Sequence, residues 1–132
     1  KYIRELDFNI PNAKTFFLLS KNIEKYKISI DIRSNQVEKD IIEVLTTLSL
    51  RPISEDFEKI NAKVVFSTII ELESNKFEKQ EMEKIVLIDV PTKIYSELRK
   101  IFISLFESSG FKDIKLSENV DFRKLYDSKK IQ

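Results

Sequence analysis

The 132-residue sequence contains no histidine, no cysteine and a single glycine, and each shortage removes a class of chemistry. Without cysteine there is neither a disulfide nor a thiolate metal site, a composition that suits a reducing compartment and gives the expectation of a cytoplasmic protein. With histidine missing too, the commonest general base and the best thiol nucleophile are gone, leaving carboxylates, lysine, tyrosine and serine for catalysis. Gly110 alone forms no glycine-rich phosphate cradle, so the P-loop and the dinucleotide fingerprint are excluded. The expectation is a protein that is not an enzyme and holds no cofactor or metal. No run approaches the roughly 18–20 apolar residues of a spanning helix, and no membrane insertion is expected. The opening KYIRELDF lacks the basic and apolar regions of a secretory signal, and it lacks an initiator Met, so residue 1 is not taken as the native start. The formal net charge of +1, with both signs interspersed, supplies no basic field for phosphate backbones, and nucleic acid is not an expected partner.

What is present is 42% apolar and 34% charged residues in a length suited to one core, read as a single domain over 1–132. Leu6, Phe8 and Ile10 alternate with polar residues as a half-buried strand that Pro11-Asn12 ends. Tyr26, Ile28, Ile30 and Ile32 give the cleanest strand pattern, closed by a polar break at Ser34-Asn35-Gln36. Ile41–Leu50 and Ala62–Leu72 are apolar on both faces and predict central strands covered on both sides. Short connections predict an antiparallel meander. After a charged stretch and the run Ile85–Val90, Pro91 marks the predicted start of a long helix. Ile94, Tyr95, Leu98, Ile101, Phe102, Leu105 and Phe106 form its apolar stripe, and Gly110 sits where a left-handed terminator belongs. A shorter helix is predicted from about Asp121, with Phe122, Leu125 and Tyr126 on one side. The fold class is α+β, an antiparallel sheet of four strands with a long and a short C-terminal helix.

This order of elements carries a family likeness. Leu6-Asp7-Phe8-Asn9-Ile10-Pro11-Asn12-Ala13, with Phe16-Phe17 following, Tyr26–Ile32, Asp40-Ile41-Ile42-Glu43-Val44, Tyr95, Leu98-Arg99, Gly110-Phe111, Leu116 and Val120-Asp121-Phe122 with Leu125-Tyr126 run collinearly across nearly the whole chain. Together they resemble the SecB protein-export chaperones. The resemblance implies a four-stranded antiparallel sheet with the long and the short C-terminal helix on one face, and a dimer of dimers whose apolar grooves hold unfolded or preprotein chains without ATP and deliver them to the SecA motor. It departs from the family pattern at Tyr95-Ser96-Glu97, where a proline is usual, and at Lys112-Asp113-Ile114-Lys115, where a proline-rich stretch is usual. Of the acidic surface that docks the motor, Glu5 is matched, Asn9 replaces one acid, and Phe66 is expected where another would lie. The C-terminal tail of the export members is absent at Lys129-Lys130-Ile131-Gln132. A SecB-like chaperone dedicated to an antitoxin or another single partner fits the same pattern.

Each candidate site has a plainer reading. Phe16, Phe17, Leu18 and Leu19 form a four-residue apolar run in an expected connection, either lining a client groove, with Phe16, Phe17 and Leu18 as its candidates, or joining the core. The resemblance adds Tyr26 to that groove. Phe122, Leu125 and Tyr126 are expected as a movable groove wall or as a fixed lid. Ile94, Tyr95, Leu98, Ile101, Phe102 and Leu105 are expected to divide between their own sheet and an oligomer interface. Tyr95 and Arg99, four apart, read as a stacking pair. Glu78, Glu81 and Lys84 read as a solvated face. A carboxylate-dependent enzyme using Asp31, Glu43 or Glu71 is the reading from a different functional class.

Overall fold

The computed structural model describes residues 1–111 and 114–131, the side chains of 129–131 excepted. Strands β1 (Tyr2–Asn9), β2 (Tyr26–Glu38), β3 (Ile41–Pro52) and β4 (Asn61–Glu71) form one antiparallel sheet in the order β1-β4-β3-β2. β2, β3 and β4 make the expected meander, but β1 pairs with β4, which corrects the simple meander and leaves β1 and β2 as the two edges. Strand spacing reports antiparallel pairing and not which neighbour the first strand chooses. The chain travels from one edge to the other through helix α1 (Ala13–Lys21) and a 3-10 turn at Ile23–Lys25.

Helix α1 holds the Phe16–Leu19 run that was expected in a connection. Its start signal is Asn12, whose side chain accepts the Thr15 N–H at 2.8 Å and so satisfies one orphan donor of the first turn. Four contiguous apolar residues carry no 3.6-residue rhythm, and periodicity alone could not show this helix. In β2 the expected break at Ser34-Asn35-Gln36 is strand instead, with a pairing irregularity between Gln36 and Glu38. The reversal lies at Lys39-Asp40, where Asp40 takes a left-handed φ of 64° that aspartate tolerates. Asp40 also ties this tip to the end of β4, its carbonyl accepting the Leu72 N–H at 2.8 Å and its carboxylate the Ser74 N–H at 2.9 Å.

The helical path starts twelve residues before Pro91. It runs through α2 (Lys79–Lys84), a widened π turn at Ile85–Asp89, and α3 (Val90–Ser108). Proline has no N–H and its ring collides with the carbonyl four residues back, so an unbroken α ladder cannot pass it. The π turn resolves the conflict: the Val90 N–H reaches back five residues to the Ile85 carbonyl, and the helix resumes around the proline. Proline thus sits inside the helical path and does not begin it. At the other end the Gly110 N–H bonds the Glu107 carbonyl, the Phe111 N–H bonds the Phe106 carbonyl, and Gly110 is left-handed at φ 98°. That is a Schellman closure, completed by the Phe106–Phe111 ring contact at 5.7 Å.

Leu19 of α1, the α3 stripe, and Phe122 and Tyr126 of α4 (Phe122–Ile131) pack with Leu48, Leu50, Val64 and Phe66 in one core on one face of the sheet. The expected cover on both faces is corrected: the opposite face, with Glu5, Glu43, Leu45, Lys63 and Ser67, is left open by the described helices. On that face Val65 is buried and Leu45 half-buried.

Candidate functional site

An apolar concavity lies beside the free edge of β2. A half-open cavity of about 680 Å³ is lined by Ile23, Tyr26, Ile28 and Leu50 on the sheet side and by Ile114 and Leu116 opposite, with Ser20, Glu24, Lys27, Lys115 and Ser117 at its margins. β2 presents its outer backbone donors and acceptors along this side, since only its inner edge is paired, with β3. The 114–117 wall is held by α3: the Tyr95 hydroxyl donates to the Ser117 carbonyl at 2.6 Å and the Arg99 Nε donates to the Leu116 carbonyl at 3.1 Å. Tyr95 and Arg99 are therefore paired by a shared task, pinning one strip of backbone. Burial pushes the Tyr95 phenol pKa up, partly opposed by the Arg99 charge.

The residues expected to line a groove fall into different environments. Phe17 is 58% exposed and Leu18 42%, both on the outer side of α1, with the Lys21 ammonium 4.4 Å over the Phe17 ring. Phe16 is half-buried against Phe111 at 4.9 Å and presses on Gly110. Tyr26 is half-buried in the cavity wall. Leu125 is 38% exposed, whereas Phe122 and Tyr126 are buried in the protomer core, Phe122 against Tyr95 at 5.8 Å. Through these two residues α4 packs on the core, and among its described side chains the accessible apolar one is Leu125.

Along α3, Ile94, Tyr95, Leu98 and Phe102 are buried within the protomer, and only Ile101 and Leu105 of the six keep partial exposure. Helix geometry explains the division: at about 100° per residue Tyr95, Leu98, Phe102 and Phe106 centre on one side of the helix, and Ile101 and Leu105 lie together at one margin of that stripe. At the two free edges the exposed apolar residues are Tyr2, Ile3 and Leu6 of β1, 43–47% exposed, and Val37 near the end of β2, 58% exposed. Sequence reading missed Tyr2 and Ile3, and its placing of Leu6 on a buried face is corrected: Leu6 lies opposite Val64 on the helix side, yet its edge position leaves it 47% exposed. Sequence reading also missed Ile23, Ile114 and Leu116, which lie in segments without a periodic pattern. The Lys112-Asp113 step lies outside the described residues, as do the side chains of Lys129 and Lys130.

Glu43 is the centre of a polar cluster on the open face. It is buried, and accepts from Arg4 Nη1 and Asn35 Nδ2 at 2.7 Å each on one oxygen, and from Ser67 Oγ at 2.7 Å and Tyr2 OH at 3.4 Å on the other. The Ser67 and Asn35 hydrogen bonds, more than the Arg4 charge, hold its pKa below the usual carboxylate range. A carboxylate so fully engaged joins β1, β2, β3 and β4 and is poorly placed to exchange protons. Asp31 is ion-paired with Arg33 at 3.0 Å, and Glu71 is exposed at the end of β4. The three share no concavity, and among the described residues no cluster of three acidic side chains fit to hold a metal ion is found. Glu5 lies on the open face in an ion pair with Lys63 at 3.2 Å. Phe66 does not share that face, which corrects its expected position: it is buried on the helix side. No helix among the described residues is long and apolar enough to cross a membrane.

Comparison with known proteins agrees with this arrangement. The family model described as Preprotein translocase subunit SecB matches residues 1–132. A Pelagibacter ubique protein whose name carries the words protein-export protein SecB is 37% identical, the match covering 95% of this chain and 89% of the relative. Protein-export protein SecB of Anaplasma phagocytophilum is 23% identical over 96% of this chain and 87% of its own length. Protein-export protein SecB 1 of Gluconobacter oxydans is 23% identical over all of this chain and 80% of its own. With a sheet, a long helix closed at Gly110 and a short terminal helix in the family's order, the chain belongs to the SecB family of protein-export chaperones.

Proposed function

We propose that this chain is an ATP-independent holdase that binds extended apolar segments of unfolded preproteins, in the cytoplasm, as a homo-oligomer. The observation that carries the reading is the half-open apolar cavity beside the free backbone edge of β2. A client without fixed shape is held best by such a pairing, because an added strand gains main-chain hydrogen bonds of any sequence while its alternate side chains seek apolar cover. Tyr26 and Ile28 form the wall of this groove. Phe17 and Leu18 extend its apolar surface on α1 and Leu125 extends it on α4. The family's role in protein export supports the identity of the clients.

Assembly follows from the opposite edge. Tyr2, Ile3 and Leu6 expose apolar surface along a strand whose outer hydrogen-bonding groups have no strand partner, a combination that a second copy covers well. Ile101 and Leu105 supply further contact between protomers. The open sheet face, where Glu5 lies, is the surface offered to the SecA motor. It carries both signs, Glu5 with Lys63 and Asp31 with Arg33, so docking there draws on more than one acidic patch.

The test is aggregation of a chemically denatured client diluted into buffer without nucleotide. Stoichiometric amounts of this protein should suppress it and should not bind the same client once folded. Equal binding of folded and unfolded client ends the reading.

A further inference from the structure

The connection from β3 to β4, residues 53–60, has no helix or strand of its own; its start is tied by the Ile53 N–H donating to the Lys25 carbonyl at 2.9 Å, and its middle is clasped at Glu58. The Tyr26 hydroxyl donates to the Glu58 carbonyl at 2.6 Å, and the Thr15 hydroxyl in the first turn of α1 donates to the Glu58 carboxylate at 3.2 Å. The Phe57 ring lies 6.3 Å from the Tyr26 ring. The Glu58 charge, after burial, also raises the Tyr26 pKa. One wall residue of the cavity beside β2 is thus held by a neighbouring loop.

Under that loop the sheet comes apart. β3 and β4 pair as far as Ser49 and Lys63, after which β3 runs on to Pro52 beside β2 while β4 begins at Asn61 beside β1. The gap is a second half-open cavity of about 470 Å³, with Leu50, Pro52, Ile53, Ile60 and Ala62 as its apolar lining. Leu50 lines both cavities. The loop lines the second cavity through Ile53, Ser54, Glu55, Lys59 and Ile60 and holds Tyr26, in the wall of the first, through Glu58.

We propose that Phe57 and Glu58 set the length of client segment the groove accepts: clasped on Tyr26, the loop is a strap that ends the groove there, and unclasped it lets an apolar segment continue past Leu50 into the second cavity. This rests on the reading of the first cavity as the client groove. Two hydrogen bonds and a ring contact on an otherwise exposed loop form a closure that a well-fitting client can displace. A short segment seats without touching it.

Because the chain has no cysteine, the double substitution Thr15→Cys with Glu58→Cys creates a unique pair for a short bifunctional maleimide. Binding of fluorescein-labelled apolar peptides of about six and about fourteen residues, roughly 20 and 46 Å when extended, is measured with the strap locked and free. Locking should leave the short peptide's affinity unchanged and weaken the long one by about tenfold. Tyr26→Phe, which keeps the ring and removes the clasping hydroxyl, should tighten the long peptide by about threefold to tenfold. Equal affinity of the long peptide for locked and free protein, or weakening of both peptides by the lock, overturns the strap while leaving the groove in place. Failure of either peptide to bind any form that retains native circular dichroism overturns the groove and the strap together.

Discussion

Replacing Phe17 and Leu18 with serine separates binding from folding at adjacent positions of one helix. Fully burying a phenylalanine or leucine side chain is worth about 1.5–3 kcal/mol. Phe17 and Leu18 are already covered in part, so a client gains only the exposed fractions, 58% and 42%. Scaled that way, complete cover of both by a client is worth about 1.5–3 kcal/mol, a tenfold to hundredfold change in Kd. Folding should scarcely notice, because exposed substitutions shift stability by about 0.5 kcal/mol and the Lys21–Phe17 contact is an exposed one. Leu19, the next residue and 1% exposed, is the internal control: Leu19→Ala should destabilise by about 2–5 kcal/mol. Urea melts report the folding term, and fluorescence anisotropy of a labelled unfolded peptide reports the binding term. Unchanged peptide affinity in a folded Phe17→Ser/Leu18→Ser protein refutes the assignment to the groove. A drop in solution mass with unchanged affinity moves both residues to a contact between copies.

Other perturbations read the remaining parts of the molecule. Gly110→Ala forces a side chain into φ 98° and places its Cβ 3.2 Å from the Phe16 ring, so urea melts should show a loss of about 1–2 kcal/mol. Glu43 has a folded pKa below its ordinary 4.5, so the unfolded chain binds the proton more readily, and the stability it contributes is present above that pH and disappears as pH falls through the folded value. Melts from pH 7 to pH 3 should therefore fall less steeply for Glu43→Gln than for the wild type, although the variant starts lower. Ile101→Ala with Leu105→Ala should lower solution mass by light scattering more than it lowers stability. Phe102→Ala, at a fully buried site, should do the reverse, with a loss of about 3–5 kcal/mol.

What the sequence determined unaided was whatever is set by neighbours along the chain. Ile28, Ile30 and Ile32 alternate because one side of β2 faces a core, the spacing of Ile94, Leu98, Phe102 and Phe106 winds a helix onto that core, and Gly110 closes the helix because a left-handed residue is required there. The absence of histidine and cysteine and the presence of a single glycine likewise set limits on chemistry before any fold was known. Tertiary structure decided what depends on residues far apart in sequence. It set β1 beside β4 and so exposed Tyr2, Ile3 and Leu6, enclosed Phe122 and Tyr126 that a stripe alone left ambiguous, and gave Tyr95 and Arg99 their carbonyl partners at 116 and 117. Periodicity reports that a side chain has an apolar side to turn inward; whether its own protomer, another copy or a client covers that side is settled by packing between distant elements, which no local pattern encodes.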